Sequence, residues 1–189
     1  MIHEGTIIKS TPETLDCQTC GWIHLVDIHD NSEMYRSGFY QTEKPNYFKE
    51  EQEDKPWHWM TFAFQWQTAE TLTPYIGTIL DVGCGSGLFL EYSELKQVAR
   101  FGIEPNMSAA QLAYRYGTII NKCGALNQYI NGLVRCAFVL EHLSDPIAML
   151  SDIRSLMSPS SVAIFIIPND FVQDAINGTS VGYYWVHPH

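Results

Sequence analysis

The sequence predicts an α/β protein of the Rossmann-like, doubly wound type, in which a mainly parallel sheet carries helices on both faces. Two observations support this prediction. From residue 77 onward, short apolar segments alternate with segments of helical periodicity, a pattern typical of successive βαβ units. The first apolar segment, residues 78–82, ends in the glycine-rich loop Gly83 to Gly87, which precedes a predicted helix. A strand, a glycine loop and a helix in this order are typical of a nucleotide-binding fold.

The remaining elements follow in regular order along the chain. Strands are predicted at residues 78–82, 99–104, 118–121, 133–138 and 161–167. Helices are predicted at residues 86–97, 107–116 and 146–157. Asn106 and Asp145 are expected to cap the second and third helices, because their short polar side chains can accept hydrogen bonds from the free N–H groups of a first turn. Pro146 suits the first helical position.

The first 75 residues have a different pattern and are predicted to form an N-terminal segment with a helical cap, while residues 76–189 form the Rossmann-like domain. Residues 21–28 predict a short strand, and a helix is expected to begin at Asn31 and Ser32. Residues 57–66 carry bulky apolar side chains around much of a helix. Because such a helix needs cover on several sides, it should pack against the main domain, and it can also form a lid over a cofactor pocket.

Composition excludes several classes of protein. The chain has 46% hydrophobic and 17% charged residues, which is ordinary for a globular domain. Its formal net charge of −10 argues against binding to nucleic acid. The sequence shows neither a signal-peptide pattern nor an apolar run long enough to span a membrane. The odd number of cysteines, 5, argues against a disulfide framework, so the expected location is the cytoplasm.

The pair Cys17-x-x-Cys20, followed by His24 and His29, resembles half of a zinc site. A structural zinc site normally has four protein ligands, and a second Cys-x-x-Cys pair is missing from the sequence. Reduced thiols in a turn are the alternative interpretation. We therefore assign no metal ligands from the sequence.

Two acidic residues indicate which nucleotide cofactor the glycine loop binds. Glu104 ends the second predicted strand, about 20 residues after Gly83, where a carboxylate can accept hydrogen bonds from ribose hydroxyls. Asp81 lies two residues before Gly83. A carboxylate there favours the ammonium and sulfonium of S-adenosylmethionine (SAM) and repels the pyrophosphate of NAD. The glycine spacing, Gly-x-Gly-x-Gly rather than Gly-x-Gly-x-x-Gly, favours SAM as well.

Four segments in the expected order resemble the class I SAM-dependent methyltransferases, specifically the type 11, 12 and 23 branch. The resemblance covers roughly residues 77–170. The four segments are Asp81-Val-Gly-Cys-Gly-Ser-Gly87, Phe101-Gly-Ile-Glu-Pro-Asn106, Val139-Leu-Glu-His-Leu-Ser-Asp-Pro146 and Ile166-Ile-Pro-Asn-Asp170.

The resemblance implies a set of residues that bind SAM and its product, S-adenosylhomocysteine (SAH). The glycine loop and Asp81 line the methionine half, and Glu104 holds the ribose. The residues after the second and third strands lie beside the adenine, and those that end the fourth strand lie near the methionine carboxylate or the methyl group. The full expected set is Asp81, Gly83, Cys84, Gly85, Gly87, Glu104, Pro105, Asn106, Ala125, Leu126, Ala137 and Phe138.

The family resemblance implies transfer of a methyl group to a small molecule of the sugar, quinone or natural-product type. His142 is the candidate general base, because histidine titrates near neutral pH; a capping or packing role is the alternative. The chain after the fifth strand is shorter than is usual in this family. An incomplete sheet would expose an edge strand, so we expect a homodimer. The second functional hypothesis is a SAM-binding regulatory or partner subunit without turnover.

Overall fold

The computed structural model of the protein describes residues 4–10, 13–19, 21, 23–26 and 32–168. These residues fall into two compact units. The first contains the described residues before position 31 together with Pro168, and the second contains residues 32–167. The predicted helical cap, from residue 32 to residue 75, therefore lies in the same unit as the predicted sheet.

The first unit contains a three-stranded antiparallel sheet with the strand order β1-β2-β3. Its strands are β1 (Gly5–Ser10), β2 (Glu13–Cys17) and β3 (Ile23–Leu25). Leu15 and Cys17 are buried, and they alternate with the exposed Asp16, as expected of a strand with one covered face. The sequence predicted only a strand within residues 21–28, so β1 and β2 are additional findings.

The second unit contains a five-stranded sheet in which every pair of neighbouring strands is parallel. Its strands are β4 (Thr78–Val82), β5 (Ala99–Ile103), β6 (Thr118–Ile120), β7 (Gly132–Ala137) and β8 (Val162–Ile166). The spatial order is β6-β5-β4-β7-β8. The chain thus builds outward from β4 first on one side and then on the other, and a reversal of this kind opens a crevice at the carboxyl ends of the strands. This topology confirms the predicted fold class.

Helices accompany the sheet throughout the second unit. They are α1 (Ser32–Ser37), a π-helical turn (Phe39–Glu43), α2 (Tyr47–Glu53), α3 (Lys55–Leu72), α4 (Leu88–Glu94), α5 (Met107–Ala113) and α6 (Pro146–Leu156). Both predicted N-caps are confirmed. The Asn106 side chain accepts from the N–H groups of Ser108 and Ala109 at 3.0 and 3.1 Å, and Asp145 accepts from Ala148 at 2.9 Å.

Helix α4 is shorter than the predicted helix over residues 86–97. Gly87 adopts φ = 88°, a left-handed conformation that an α-helix cannot include, so the helix begins only at Leu88. Gln97, with φ = 56°, lies in the turn that leads to β5. The helix was predicted correctly, but both of its predicted ends were wrong. Gly87 and Gln97 adopt left-handed φ angles, which an α-helix cannot include.

Two apolar clusters, one on each face of the sheet, form the core of this unit. Alternate residues of β4 enter different clusters: Ile79 packs with α3 and α4, and Leu80 packs with α6. Phe62 and Trp66 of α3 are buried in the first cluster. This agrees with the expectation that the aromatic segment over residues 57–66 packs against the main domain. The face of β4 that carries Ile79 also carries Asp81, which places that carboxylate beneath α3 and α4.

Candidate active site

The predicted cofactor residues gather at the carboxyl edge of the parallel sheet. They follow four neighbouring strands: the loop 83–87 follows β4, Glu104 follows β5, Ala125 and Leu126 follow β6, and Ala137 and Phe138 end β7. Because the carboxyl ends of parallel strands meet at one edge, the fold brings together residues that are far apart in sequence.

The glycine loop depends on glycine at three positions with left-handed φ. The φ angles of Gly83, Gly85 and Gly87 are 70°, 53° and 88°. A Cβ atom at Gly83 would lie 2.3 Å from Cγ2 of Val139, which is closer than carbon atoms can approach. At Gly85 the space is more open, and the nearest atom to a built Cβ is the Tyr40 hydroxyl oxygen at 3.7 Å.

Four of the five N–H groups of this loop donate within the protein. Gly83 and Cys84 donate to the carbonyl of Ile103 at 2.8 and 3.0 Å, and Gly87 donates to the carbonyl of Cys84 at 2.9 Å. Gly85 donates to the Glu104 carboxylate at 2.9 Å. A pyrophosphate cradle needs outward-facing backbone N–H groups. These four groups are therefore not available to a pyrophosphate.

Glu104 links the glycine loop to the end of β5. One carboxylate oxygen accepts from the N–H of Gly85 and the other accepts from the N–H of Asn106 at 2.8 Å. The side chain is buried, and burial raises the pKa of its carboxyl, while the two backbone hydrogen bonds oppose that rise. Each carboxylate oxygen has a second lone pair, so the group can still accept hydrogen bonds from the hydroxyls of a ribose.

Asp81 has a cationic partner that the sequence analysis did not foresee. Asp81 of β4 and Arg135 of β7 are register partners, and Nη1 of Arg135 lies 2.8 Å from Oδ1 of Asp81. The guanidinium also donates to Gln65 at 2.9 Å and lies against the rings of Phe62 and Phe89 at 5.1 and 4.8 Å. Burial raises the pKa of Asp81, and Arg135 opposes that rise. The negative charge of Asp81 is thus balanced within the sheet.

The helical cap contacts the glycine loop through Tyr40, whose hydroxyl lies near Gly85, and through Glu51, which accepts a hydrogen bond from Ser86. Tyr40 belongs to a cluster of three aromatic rings. The rings of Tyr40 and Phe48 are stacked at 4.6 Å, and Tyr47 lies 5.2 Å from Tyr40. Burial is the largest cause that raises the pKa of both tyrosines, and the nearby carboxylates of Glu104 and Glu51 add to it. Both phenols consequently remain protonated at neutral pH.

A buried asparagine attaches α1 to the sheet. While its oxygen caps α5, the side-chain amide of Asn106 donates to the carbonyls of Tyr35 and Arg36 at 2.8 and 3.3 Å. Asn106 is only 1% exposed. Its side chain is therefore already fully engaged within the protein, so a contact with adenine at this position would come from its backbone or from its neighbour Pro105, which is exposed.

The candidate base His142 lies against the cap. Its Nδ1 is 3.0 Å from the hydroxyl of Tyr35, and the two rings are 4.7 Å apart. Burial, followed by the nearby Glu141, raises the pKa of Tyr35 to about 12. The phenol therefore keeps its proton at neutral pH and can donate it to Nδ1. In this arrangement Tyr35 occupies one of the two ring nitrogens.

Two further predicted residues, Phe138 and Cys84, differ in how they can serve the site. Phe138 has φ = 56° and is 53% exposed; a bulky residue in the left-handed region is uncommon and often marks a functional position. Cys84 is buried, and its thiol lies next to Gly102, where a built Cβ atom would be only 2.6 Å from the sulfur. Burial raises the pKa of the Cys84 thiol. Cys84 can therefore serve a ligand only through its backbone.

The possible zinc site lies largely outside the described residues. Cys17 is buried in the first unit, but Cys20, His29 and the side chain of His24 are not among the residues that the structure describes. Among those it does describe, no three His, Cys, Asp or Glu side chains are grouped closely enough to hold a metal ion.

The fold and the site together define a class of protein. A parallel sheet in this order, a left-handed glycine loop after its first strand and a carboxylate after its second strand are the features of a Rossmann-like nucleotide-cofactor protein. Comparison with known families identifies the branch, because residues 35–189 match the methyltransferase domain of type 23. The chain belongs to this methyltransferase family, which confirms the resemblance that the sequence motifs indicated.

Solved structures support the same fold. The plantazolicin methyltransferase BpumL in complex with SAH has a TM-score of 0.61 at 15% identity, over 80% of this chain and 62% of that one. The plantazolicin methyltransferase BamL, in complex with a triazolic desmethylPZN analog and SAH, has a TM-score of 0.57 at 16% identity, over 80% and 61%. The chain thus spans less than two thirds of the length of these proteins. The comparison with curated proteins gives no match.

The part of the chain that the structure describes contains no candidate membrane-spanning helix. None of its helices combines the length and the apolar character that crossing a bilayer requires.

Proposed function

We propose that this chain binds SAM at the glycine loop and transfers the methyl group to a small-molecule acceptor of the sugar, quinone or natural-product type. The observation that carries the proposal is the hydrogen bonding of the loop. Four of its five N–H groups donate within the protein, and the carboxylate of Glu104 follows β5, the position at which the family resemblance implies contact with the ribose. This arrangement suits a cationic nucleoside better than a pyrophosphate. Membership of the methyltransferase family supplies the reaction class.

SAM, when bound, supplies an activated methyl group that an acceptor nucleophile displaces from sulfur. The residues of this chain hold and orient the reactants, and alignment of this kind can supply much of the rate of such a transfer. Glu104 and the glycine loop would fix the nucleoside, and the aromatic cap over the loop would exclude water. The expected small-molecule acceptor, the homodimer and the cytoplasmic location belong to this proposal as well.

Calorimetry with SAM, SAH and NAD tests the cofactor directly. We expect SAM and SAH to bind and NAD to bind weakly, because the carboxylate of Glu104 and the inward-donating N–H groups disfavour the negatively charged pyrophosphate of NAD. NAD binding tighter than both SAM compounds would contradict the proposal. A screen for SAH release across small acceptors then tests turnover. Binding of SAM with no release for any acceptor would favour the alternative of a regulatory or partner subunit.

Replacement of Glu104 by alanine should weaken SAM binding by about 1–3 kcal/mol, because the ribose hydroxyls and the N–H of Gly85 lose their acceptor. The measurement is calorimetry on the purified variant. Glu94→Ala is the matched control, since Glu94 lies on α4, pairs with Arg100 at 3.4 Å and is exposed. Equal affinities for the two variants would show that Glu104 does not hold the ribose.

His142 is our candidate for the general base, if the acceptor must lose a proton. A base needs a nitrogen lone pair that can reach that proton. Tyr35 hydrogen-bonds to Nδ1. If Nδ1–H donates to the phenol oxygen, Nε2 carries the lone pair and is the base; if the phenol donates, the acceptor hydroxyl must displace Tyr35 or pass its proton through the phenol. Once an acceptor is found, His142→Ala should lower kcat by about 10²- to 10⁴-fold and leave SAM affinity unchanged. An unchanged kcat would assign His142 the packing role instead.

A further inference from the structure

The carboxylates around the glycine loop differ in how their charges are balanced. Asp81 is paired with Arg135 at 2.8 Å, and Glu91 is paired with Lys55 at 2.7 Å. Both oxygens of Glu104 accept backbone hydrogen bonds. The negative charge of Asp81, which the sequence analysis assigned to the methionine end of SAM, is thus already matched by a cation within the protein.

Glu51 of α2 and Glu104 are the carboxylates of this group that form no ion pair, and of the two only Glu104 is held by backbone N–H groups. The side chain of Glu51 accepts a hydrogen bond from the hydroxyl of Ser86, inside the glycine loop. Among the described residues, no lysine, arginine or histidine nitrogen forms an ion pair with it. Glu51 therefore brings a carboxylate without an ion pair from the cap directly to the loop, while Arg135, whose charge also acts on Glu51, forms its ion pair with Asp81.

The surroundings of Glu51 make that charge costly in the absence of a ligand. Burial raises the pKa of Glu51, and the nearby carboxylates of Asp81 and Glu91 add to the rise. The Ser86 hydrogen bond and the more weakly acting Arg135 oppose it. Removing a carboxylate from water without a cationic partner costs free energy. A cationic ligand at the loop would offset this cost.

We propose that Glu51 is the cation-recognising residue of the cofactor site, contributed by the helical cap, and that it binds the positively charged methionine end of SAM. This inference rests on the proposed function, because it takes SAM to be the ligand of the glycine loop. The cationic group is the ammonium, which SAM and SAH share, or the sulfonium, which only SAM carries.

The test is calorimetry of SAM and SAH binding to Glu51→Gln. Glutamine keeps the length of the side chain and an acceptor for Ser86 and removes only the charge. We expect SAM binding to weaken by about 10- to 100-fold, the range for a lost hydrogen bond to a charged group. An equal loss for SAH assigns Glu51 to the ammonium, and a loss confined to SAM assigns it to the sulfonium. Glu50→Gln is the control, because Glu50 lies in the same helix with its side chain exposed.

A structural role for Glu51 predicts a different pattern. If Glu51 stabilises the fold, its replacement lowers the thermal unfolding midpoint of the ligand-free protein. If Glu51 is kept for ligand binding, the midpoint stays equal or rises, because a half-buried charge without an ion pair is removed. Glu51→Asp provides a second variant that keeps the charge but shortens its reach, and it should also weaken SAM binding.

The outcomes separate this inference from the proposed function. Wild-type protein that binds no SAM would defeat the proposed function itself. If the wild-type protein binds SAM, and Glu51→Gln and Glu50→Gln bind it equally well, the role proposed for Glu51 is overturned. The proposed function stays intact in that case.

Discussion

Arg135→Met is expected to lower the free energy of unfolding by about 3–5 kcal/mol, because it leaves the buried Asp81 carboxylate without its cation. Asp81 is only 1% exposed, so water cannot replace the lost partner. Methionine fills much of the same volume and still contacts the rings of Phe62 and Phe89, which limits the change to charge and hydrogen bonding. Urea unfolding at neutral pH measures the effect.

The matched control removes both members of the pair. In Asp81→Asn/Arg135→Met no carboxylate remains, so the double variant should be less destabilised than the sum of the two single variants. A buried ion pair can often be replaced as a unit at small cost, whereas loss of one member is expensive. If Arg135→Met costs less than about 1 kcal/mol, the value typical of an exposed pair, the ion pair would not contribute to stability in the way expected of a buried pair.

Local sequence signals predicted the frame of the site well, because each depends on neighbouring residues. The glycine loop and the position of Glu104 follow from one βαβ unit, whose geometry is nearly constant. Asn106 and Asp145 as helix caps depend only on the turn that follows them. Phe138, with its left-handed φ, was predicted only through the family resemblance, since nothing in its own sequence indicates that conformation.

The missed features join residues that are distant in sequence. Arg135 meets Asp81 because β4 and β7 are adjacent in the sheet, although β5 and β6 lie between them in the chain. One signal was available: Arg135 is a charged residue within an apolar strand, and a buried charge requires a partner. Glu51 gave no such signal, because its neighbours in sequence are equally acidic. Its contact with Ser86 depends on how α2 folds over the loop.

Asn106 provides the second large effect, because one side chain performs two separable functions. Its oxygen caps α5, and its amide donates to the carbonyls of Tyr35 and Arg36. Asn106→Ser keeps an N-cap oxygen and removes the amide, so it should lower the free energy of unfolding by about 1–2 kcal/mol. Asn106→Ala removes the cap as well and should cost about 1 kcal/mol more. Urea unfolding of both variants measures the two steps.

The amide of Asn106 should also affect the cofactor, although its side chain has no free group for a ligand. The segment it holds leads directly into the aromatic residues and Glu51 that cover the glycine loop. Asn106→Ser should therefore weaken SAM binding and increase hydrogen exchange in α1, while α5 stays protected. Should serine and alanine have equal effects on stability and leave SAM binding unchanged, Asn106 would be a helix cap alone. If Asn106→Ser already weakens SAM binding, the loss comes from the amide. The attachment of the helical cap would then contribute to the affinity for SAM, in addition to the glycine loop.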